Sequence, residues 1–300
     1  MIFMNEKTLY PDCPTELSEE QLAAYWKDGY LAFENALSPE EVAESCQGLS
    51  DIFRSYAYND DVAEYQPGTS EKTNYSGASF KSKTSKCFVI LEPGYEANPD
   101  DLDETELRVR KIAYFQDEAD IFKQLYTTHP KIMGIVKSLL GQAVELYQTM
   151  ALVKPPMGGS EKPWHQDNAY FSVENMNQVV GIWIALDDAT ASNGCMHLLV
   201  GGHKLGPMRH HHTFDCEIIP GRIDPTESIP IELKAGGVLL FHSNLPHQTP
   251  ANTSPDRRRA LQYHYRSSDN EVISTEEYYK VFKESDGTPA SCMAAKPENF

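Results

Sequence analysis

Beyond Gly141 the chain breaks into short runs rich in β-branched and aromatic residues, at 144–153, 179–186, 196–200, 229–233, 238–241 and 260–266. The separators include Pro155-Pro156, Asn193-Gly194, Gly201-Gly202 and Gly236-Gly237, residue pairs that favour hairpins and tight turns. Several short strands closed by regular turns point to a sandwich or barrel. The first part of the chain reads differently. Ser18-Glu19-Glu20-Gln21 and Ser38-Pro39-Glu40-Glu41 have the form of capping boxes, the second with proline at the first helical position. Behind them Leu22, Tyr25 and Trp26 share one helical face, as do Val42, Cys46 and Leu49. Tyr30-Leu31-Ala32-Phe33 is a short strand between the two helices, and a further helix near 118–140 is interrupted around His129-Pro130. Residues 59–103 are polar, rich in Gly, Ser, Asn and Pro and without a clear period, the mark of a long irregular segment, often a functional lid. No flexible linker separates the halves. The expected architecture is mainly β with flanking helices. A double-stranded β-helix (jelly-roll, cupin-like) core runs from about 141 to 270, with a helical part, about 1–140, packed on it. A C-terminal tail completes a single domain over 1–300.

Composition narrows the functional classes. With 40% hydrophobic residues the chain can bury a sizeable core, and its 23% charged residues are ordinary for a globular protein. No apolar run approaches the roughly 18–20 residues of a membrane span, and the first twenty residues lack the basic start and apolar stretch of a signal peptide. A cytoplasmic protein that does not engage membranes is expected. The net charge of −18 argues against a nucleic-acid partner, which would need a basic surface to replace phosphate counterions, and leaves a small-molecule substrate as the expected partner. Cys13, Cys46, Cys87, Cys195, Cys216 and Cys292 form no C-x-x-C pair and suit neither a zinc ribbon nor a disulfide framework. They read as free thiols, Cys195 as a small buried hydrophobe.

The strongest chemical signal is Trp164-His165-Gln166-Asp167. In extended backbone, residues two apart point to the same face, so His165 and Asp167 can present an imidazole nitrogen and a carboxylate oxygen to one ion. A site of two histidines and one carboxylate needs a second imidazole from a distant strand. Its open face suits non-haem Fe(II), which there takes a co-substrate and O₂ together. His197, His242 and His247 all follow in apolar surroundings. His242 ends an apolar run, where a satisfied core histidine is the plainer reading, whereas His247 opens a new segment after Asn244-Leu245-Pro246. Position alone leaves the choice open. A co-substrate with a second carboxylate also needs a buried cation, and arginine's planar fork suits it. Arg257-Arg258-Arg259 precedes a strand in which Arg258 lies opposite its neighbours. The tract His210-His211-His212 reads as a solvated loop.

Together these pieces resemble the phytanoyl-CoA dioxygenase family of Fe(II)/2-oxoglutarate-dependent oxygenases. The resemblance runs from Leu17–Gln21 and Asp28-Gly29-Tyr30 through Lys154-Pro155-Pro156, Trp164–Asp167, Asn193-Gly194-Cys195 and Gly236–His247 to Arg258–Leu261. It implies an iron triad of His165, Asp167 and His247, with Arg258 holding 2-oxoglutarate. It also implies that Lys111, Met150, Trp183 and Thr249 line the co-substrate pocket, although plain packing accounts equally well for Met150 and Trp183. The chain departs from the family pattern at Val200-Gly201-Gly202-His203, where a hydroxyl is lost from the turn. Asp167 stands where related halogenases carry a small residue, so hydroxylation is favoured over halogenation. The implied activity is a dioxygenase that hydroxylates a C–H bond of a metabolite using Fe(II), 2-oxoglutarate and O₂. The competing readings are a non-catalytic jelly-roll binding module and a cupin-like dioxygenase that needs no co-substrate. Substrate contacts are expected from residues 59–103, 168–178 and 208–225, with Tyr170-Phe171 as an apolar wall.

Overall fold

The computed structural model describes residues 9–71, 73 and 75–291. Cys292 and the first eight residues, on which part of the signal-peptide reading rests, lie outside them. The chain forms a ten-stranded sheet whose neighbours run, from one edge, Leu9–Tyr10, Tyr30–Phe33, Val238–His242, Val179–Ala185, Arg258–Ser267, Val144–Lys154, Val109–Ala113, Phe88–Leu91, Ser79–Ser82 and Ala63–Gln66. A four-stranded sheet orders Ile229–Ile231, Met196–Leu198, His247–Thr249 and Lys162–His165, and a two-stranded ribbon pairs His210–His212 with Cys216–Ile218. All described pairings are antiparallel except that of Leu9–Tyr10 with Tyr30–Phe33. The fold is the expected jelly-roll.

The centre of the large sheet is buried on both faces, and period-two alternation sorts its side chains into two cores. Leu31, Phe33, Ile182, Ile184, Val238, Leu240, Leu261 and Tyr263 pack on one face against Phe53, Phe122 and Val136 of the helices. Their sequence neighbours Tyr30, Ala32, Trp183, Ala185, Leu239, Phe241 and Ala260 turn the other way. They join Met196, Leu198 and Ile231 of the small sheet. The second core is therefore the space between two sheets packed face to face, and the candidate site opens at its end.

The two capping boxes form as expected, at the heads of Glu19–Asp28 and Pro39–Tyr56. Asp120–Thr127 and Pro130–Leu140 replace the single interrupted helix, with the His129 imidazole accepting from the Ile132 amide at the break. Three expectations need correction, and the C-terminal tail gains an element that the sequence reading did not give. Residues 59–103 are not irregular throughout, since three strands there extend the large sheet. The outermost, Ala63–Gln66, carries Glu64, a charge that protects an edge, in register with Lys81 of the next strand, and the two charges mask the period. Trp26 does not join the core face of its helix: it is 43% exposed and lies edge-on to His242, with ring centroids 6.1 Å apart. The C-terminal tail contains a capped helix, Thr275–Val281. Finally, His210–His212 is a strand, with His210 buried.

Packing between the sheets is tight at Gly181, where a Cβ would run into the Phe241 ring. That ring lies tilted against His247, with centroids 4.9 Å apart, and edge-on to His264 at 6.1 Å. Gly181→Ala is expected to lower unfolding stability by about 1–3 kcal/mol, the cost of overpacking a filled core. A chemical denaturation midpoint equal to that of the parent protein would contradict this account of the inter-sheet core.

Candidate metal centre and co-substrate pocket

Two strands of the small sheet deliver both imidazoles. Lys162–His165 runs antiparallel to His247–Thr249 with His165 directly opposite His247, and the ring centroids lie 4.1 Å apart. Each ring is oriented by a backbone carbonyl: Nδ1 of His165 lies 2.8 Å from Pro163 O, and Nδ1 of His247 lies 2.9 Å from Leu245 O. A carbonyl only accepts, so Nδ1 carries the proton and Nε2 turns a lone pair to the site. After His165 the strand gives way to a 3₁₀ turn at Asp167–Ala169. The extended-backbone reading of the tripeptide therefore stops one residue before the turn, yet the ligands still meet. Asp167 Oδ1 is 3.3 Å from His165 Nε2, and Oδ2 is 3.7 Å from His247 Nε2.

Among the described residues these three form the one cluster of metal-ligating side chains, with their donor atoms all within 4.8 Å of one another. All three are buried. Two lone pairs and a carboxylate converging without a donor between them repel, and a divalent cation satisfies that set. Burial, together with the neighbouring His247 and Lys162, pushes the His165 imidazole down to about 3. Burial likewise lowers His247. Burial pushes the Asp167 carboxyl up, but the nearby His247 and His264 and side-chain hydrogen bonding with His165 and His264 outweigh it and hold Asp167 well below the usual carboxylate range. Neutral imidazoles and an ionised carboxylate are the forms that bind metal.

A polar clamp fixes the segment between the ligands. The Gln166 amide donates to Gly206 O and Asn244 O and accepts from the Met208 amide, while the Gln166 N–H donates to His210 Nε2. Asn168 donates to Met176 O and to Asn244 Oδ1, and the Tyr278 hydroxyl donates to Asn168 O. His210 thus belongs to this clamp and not to solvent. His197 and His242, the other candidate ligands, are not brought to the centre. His242 accepts from the Asn244 amide, and His197 lies between the inward-facing Met196 and Leu198 on its strand.

The sequence reading missed His264, whose Nε2 donates to Asp167 Oδ2 at 2.7 Å from the opposite sheet. Gln262 Nε2 reaches the same oxygen at 3.4 Å. Both lie in Arg258–Ser267, where Arg258, Ala260, Gln262 and His264 share one face by period two. That spacing from Arg258 was the available signal.

A cavity opens from the triad. Its walls include Lys111, Met150, Lys162, Thr249, Arg258 and Gln262. Arg257 and Arg259 turn away, to Glu106 and to a two-pronged pair with Asp187 at 2.7 and 2.9 Å. Arg258 turns inward and is 1% exposed. One guanidinium nitrogen donates to Leu152 O at 3.0 Å, while Nε has no hydrogen-bond partner and no carboxylate lies within ion-pair distance among the described residues. Burial lowers Arg258 to about 10, so it stays charged at neutral pH. Trp183 does not line the cavity. Its ring lies 5.5 Å from the Arg258 guanidinium carbon, a cation–π support. Met150 stands in one row with Gln262 and Trp183 across the sheet. Lys111 projects over the Tyr75 ring at 5.0 Å, and burial lowers its ammonium to about 7.

Fold and site together define a jelly-roll protein of the two-histidine, one-carboxylate type. The chain belongs to the phytanoyl-CoA dioxygenase family: the family described as Phytanoyl-CoA dioxygenase (PhyH) matches residues 25–260. Phytanoyl-CoA dioxygenase domain-containing protein 1 of Danio rerio is 28% identical over 284 residues, covering 89% of this chain and 96% of that protein. EvdO2 from Micromonospora carbonacea var. aurantiaca, solved with 2-oxoglutarate, shares the fold at TM-score 0.60 and 21% identity, covering 86% of this chain and 94% of its own. EctD from S. alaskensis, solved with bound Fe, does so at TM-score 0.60 and 20% identity, covering 86% and 79%. No helix among the described residues is long and apolar enough to cross a membrane.

Two outcomes follow from this geometry. His264→Ala removes the donor that holds Asp167 and should weaken Mn(II) binding about 10–100-fold, the usual effect of losing an outer partner of a metal ligand; an unchanged titration would exclude that role. The metal-free protein should also lose stability on mild acidification. Burial holds His165 and His242 at about 3 and His210 at about 4, below the unfolded value of about 6.5. Below that value the unfolded chain binds protons that the folded one refuses. Each such histidine then removes about 1.4 kcal/mol per pH unit until its folded pKa is reached. Denaturant melts at pH 7 and 5.5 should differ accordingly, and equal midpoints would contradict it.

Proposed function

We propose that this chain is an Fe(II)- and 2-oxoglutarate-dependent dioxygenase that hydroxylates an unactivated C–H bond of a small-molecule metabolite. His165, Asp167 and His247 would hold the iron. Arg258, with Thr249 beside it, would hold the far carboxylate of 2-oxoglutarate, while Lys111 and Met150 line the same chamber and Trp183 supports Arg258 from behind. The observation that carries this reading is a buried, charged Arg258 without a carboxylate of its own, in the cavity that the triad also lines. An unmatched guanidinium in that position is costly unless a ligand supplies the acid. When bound, the iron and co-substrate supply the oxidising chemistry, coupling decarboxylation of 2-oxoglutarate to succinate and CO₂ with insertion of oxygen into the substrate.

The protein's own part is geometric and electrostatic. The carbonyls of Pro163 and Leu245 keep the Nδ1 protons of both imidazoles away from the metal position. His264 keeps one Asp167 oxygen engaged, so the carboxylate is held in one orientation. Arg258 orients the co-substrate by a charge-assisted, planar contact. The apolar side chains Met150, Leu152 and Met196 along the wall limit water around the reacting carbon.

The test is succinate formation from 2-oxoglutarate with added Fe(II), ascorbate and a metabolite mixture. Asp167→Ala is expected to abolish it. Arg258→Gln, losing a charged hydrogen-bond donor worth about 1.5–3 kcal/mol, should raise the 2-oxoglutarate KM roughly 10–150-fold. Full succinate formation by the Asp167 variant would sink the assignment. Ligand binding without succinate would favour a binding module, and turnover without 2-oxoglutarate would favour a co-substrate-free dioxygenase.

A further inference from the structure

The cavity is more basic than one co-substrate requires. Arg110, Lys111, Lys154, Lys162 and Arg258 all line it. Against them stand Asp167, which faces the metal position, and two further buried carboxylates, Glu92 and Asp215. Glu92 is fully engaged, accepting from Arg110 at 3.1 Å and from the Ser160 amide and hydroxyl at 3.0 and 2.5 Å. Asp215 pairs with Lys162 at 2.7 Å and feels Lys111 as well. A chain with a net charge of −18 has acid to spare, yet Lys111, Lys154 and Arg258 have no carboxylate within ion-pair distance among the described residues, and burial pushes the ammonium groups of Lys111 and Lys154 down. A buried basic group without a matching acid is costly to charge, and an anion from outside is what lets these groups hold their charge.

2-Oxoglutarate accounts for Arg258 and the metal. Lys162 is the cation on the accessible side: its side chain is 24% exposed, against 8% for Arg110. Its ammonium donates to Asp215 and, at 2.5 Å, to the Tyr170 hydroxyl. An ammonium has three N–H groups, so one is left for the cavity that Lys162 lines. Asp215 and Tyr170 act as a bracket that holds the ammonium in place. From the same bracket the Tyr170 ring stands edge-on to His165, with centroids 6.1 Å apart, which leads from the cation towards the metal ligands along an aromatic wall.

We propose that Lys162, backed by Lys111, anchors an acidic substrate: the molecule oxidised here carries a carboxylate or phosphate that pairs with Lys162 while its carbon skeleton lies along Tyr170 towards the metal. The inference rests on the iron and 2-oxoglutarate reading above and adds the substrate's chemical class. An anion at Lys162 also favours the charged form of Lys111, which burial otherwise weakens.

The experiment uses the full chain loaded with Mn(II), which is paramagnetic, and with 2-oxoglutarate. Proton line broadening is read for phenylacetate, phenyl phosphate and the neutral isostere phenylacetamide. One or both acids should be broadened and the amide not, and the pattern between the acids tells carboxylate from phosphate. The double variant Lys162→Met/Asp215→Asn removes the cation without stranding a buried carboxylate, and should weaken the acid's binding about tenfold or more. Lys162→Arg, which keeps the charge, should retain most of it. The 2-oxoglutarate lines should stay broadened throughout. Amide broadening equal to that of the acids, no broadening by either acid, or acid binding indifferent to the double variant would each overturn the anchor. Unbroadened 2-oxoglutarate in the parent protein would instead overturn the reading on which it rests.

Discussion

The Asp167 carboxylate joins the two sheets. One oxygen faces His165 on the small sheet, and the other takes a hydrogen bond from His264 on the large one. The contact is buried, where a hydrogen bond to an ionised group is strong and an unmet one is costly. The spacing of the sheets is therefore tied to the geometry of the ligands. Phe241 fills the gap beside them, packed against both His247 and His264, and Gly181 leaves it the room. The inter-sheet core and the candidate metal centre are one piece of packing.

Charge is distributed by the same logic. Three consecutive arginines lead into the strand Arg258–Ser267, and the middle one parts from its neighbours. Arg257 and Arg259 find Glu106 and Asp187 on the outer side, whereas Arg258 is carried into the cavity with a single carbonyl for company. Lys154, opposite Arg258 in register, is likewise buried on two carbonyls, those of Ser160 and Thr249. An acidic chain thus encloses a basic chamber. The overall charge says nothing of this, because buried charges act over short distances set by local burial, while the net charge reflects the solvated surface.

Much of the centre is legible in the sequence. His165 and Asp167 stand in one short motif, the paired capping boxes mark both early helices, and the turn pairs after Gly141 mark the jelly-roll strands. Position alone does not choose among His197, His242 and His247, because each sits at an apolar strand or its end. The family resemblance favours His247, and strand register puts it opposite His165. The edge strand Ala63–Gln66 and its neighbour Ser79–Ser82 are illegible, being four residues long and interrupted by polar residues. His210 looks like part of a solvated tract, yet its partner Gln166 lies 44 residues away.

By itself, then, the sequence determined the fold class, the pairing of His165 with Asp167 in one motif and the placing of Arg258 opposite Arg257 and Arg259, because these follow from local spacing and period, while the family resemblance pointed Arg258 at the co-substrate. Tertiary structure alone decided that His264 supports Asp167, that Trp183 lies behind Arg258, and that Lys162, Asp215 and Tyr170 form one bracket. Those groups are 97, 75 and 53 residues apart at their widest. Contacts between strands of different sheets depend on register and on packing across a shared core, and neither leaves a periodic trace along the chain. The wall of basic side chains around the His165–Asp167 motif is assembled by those contacts.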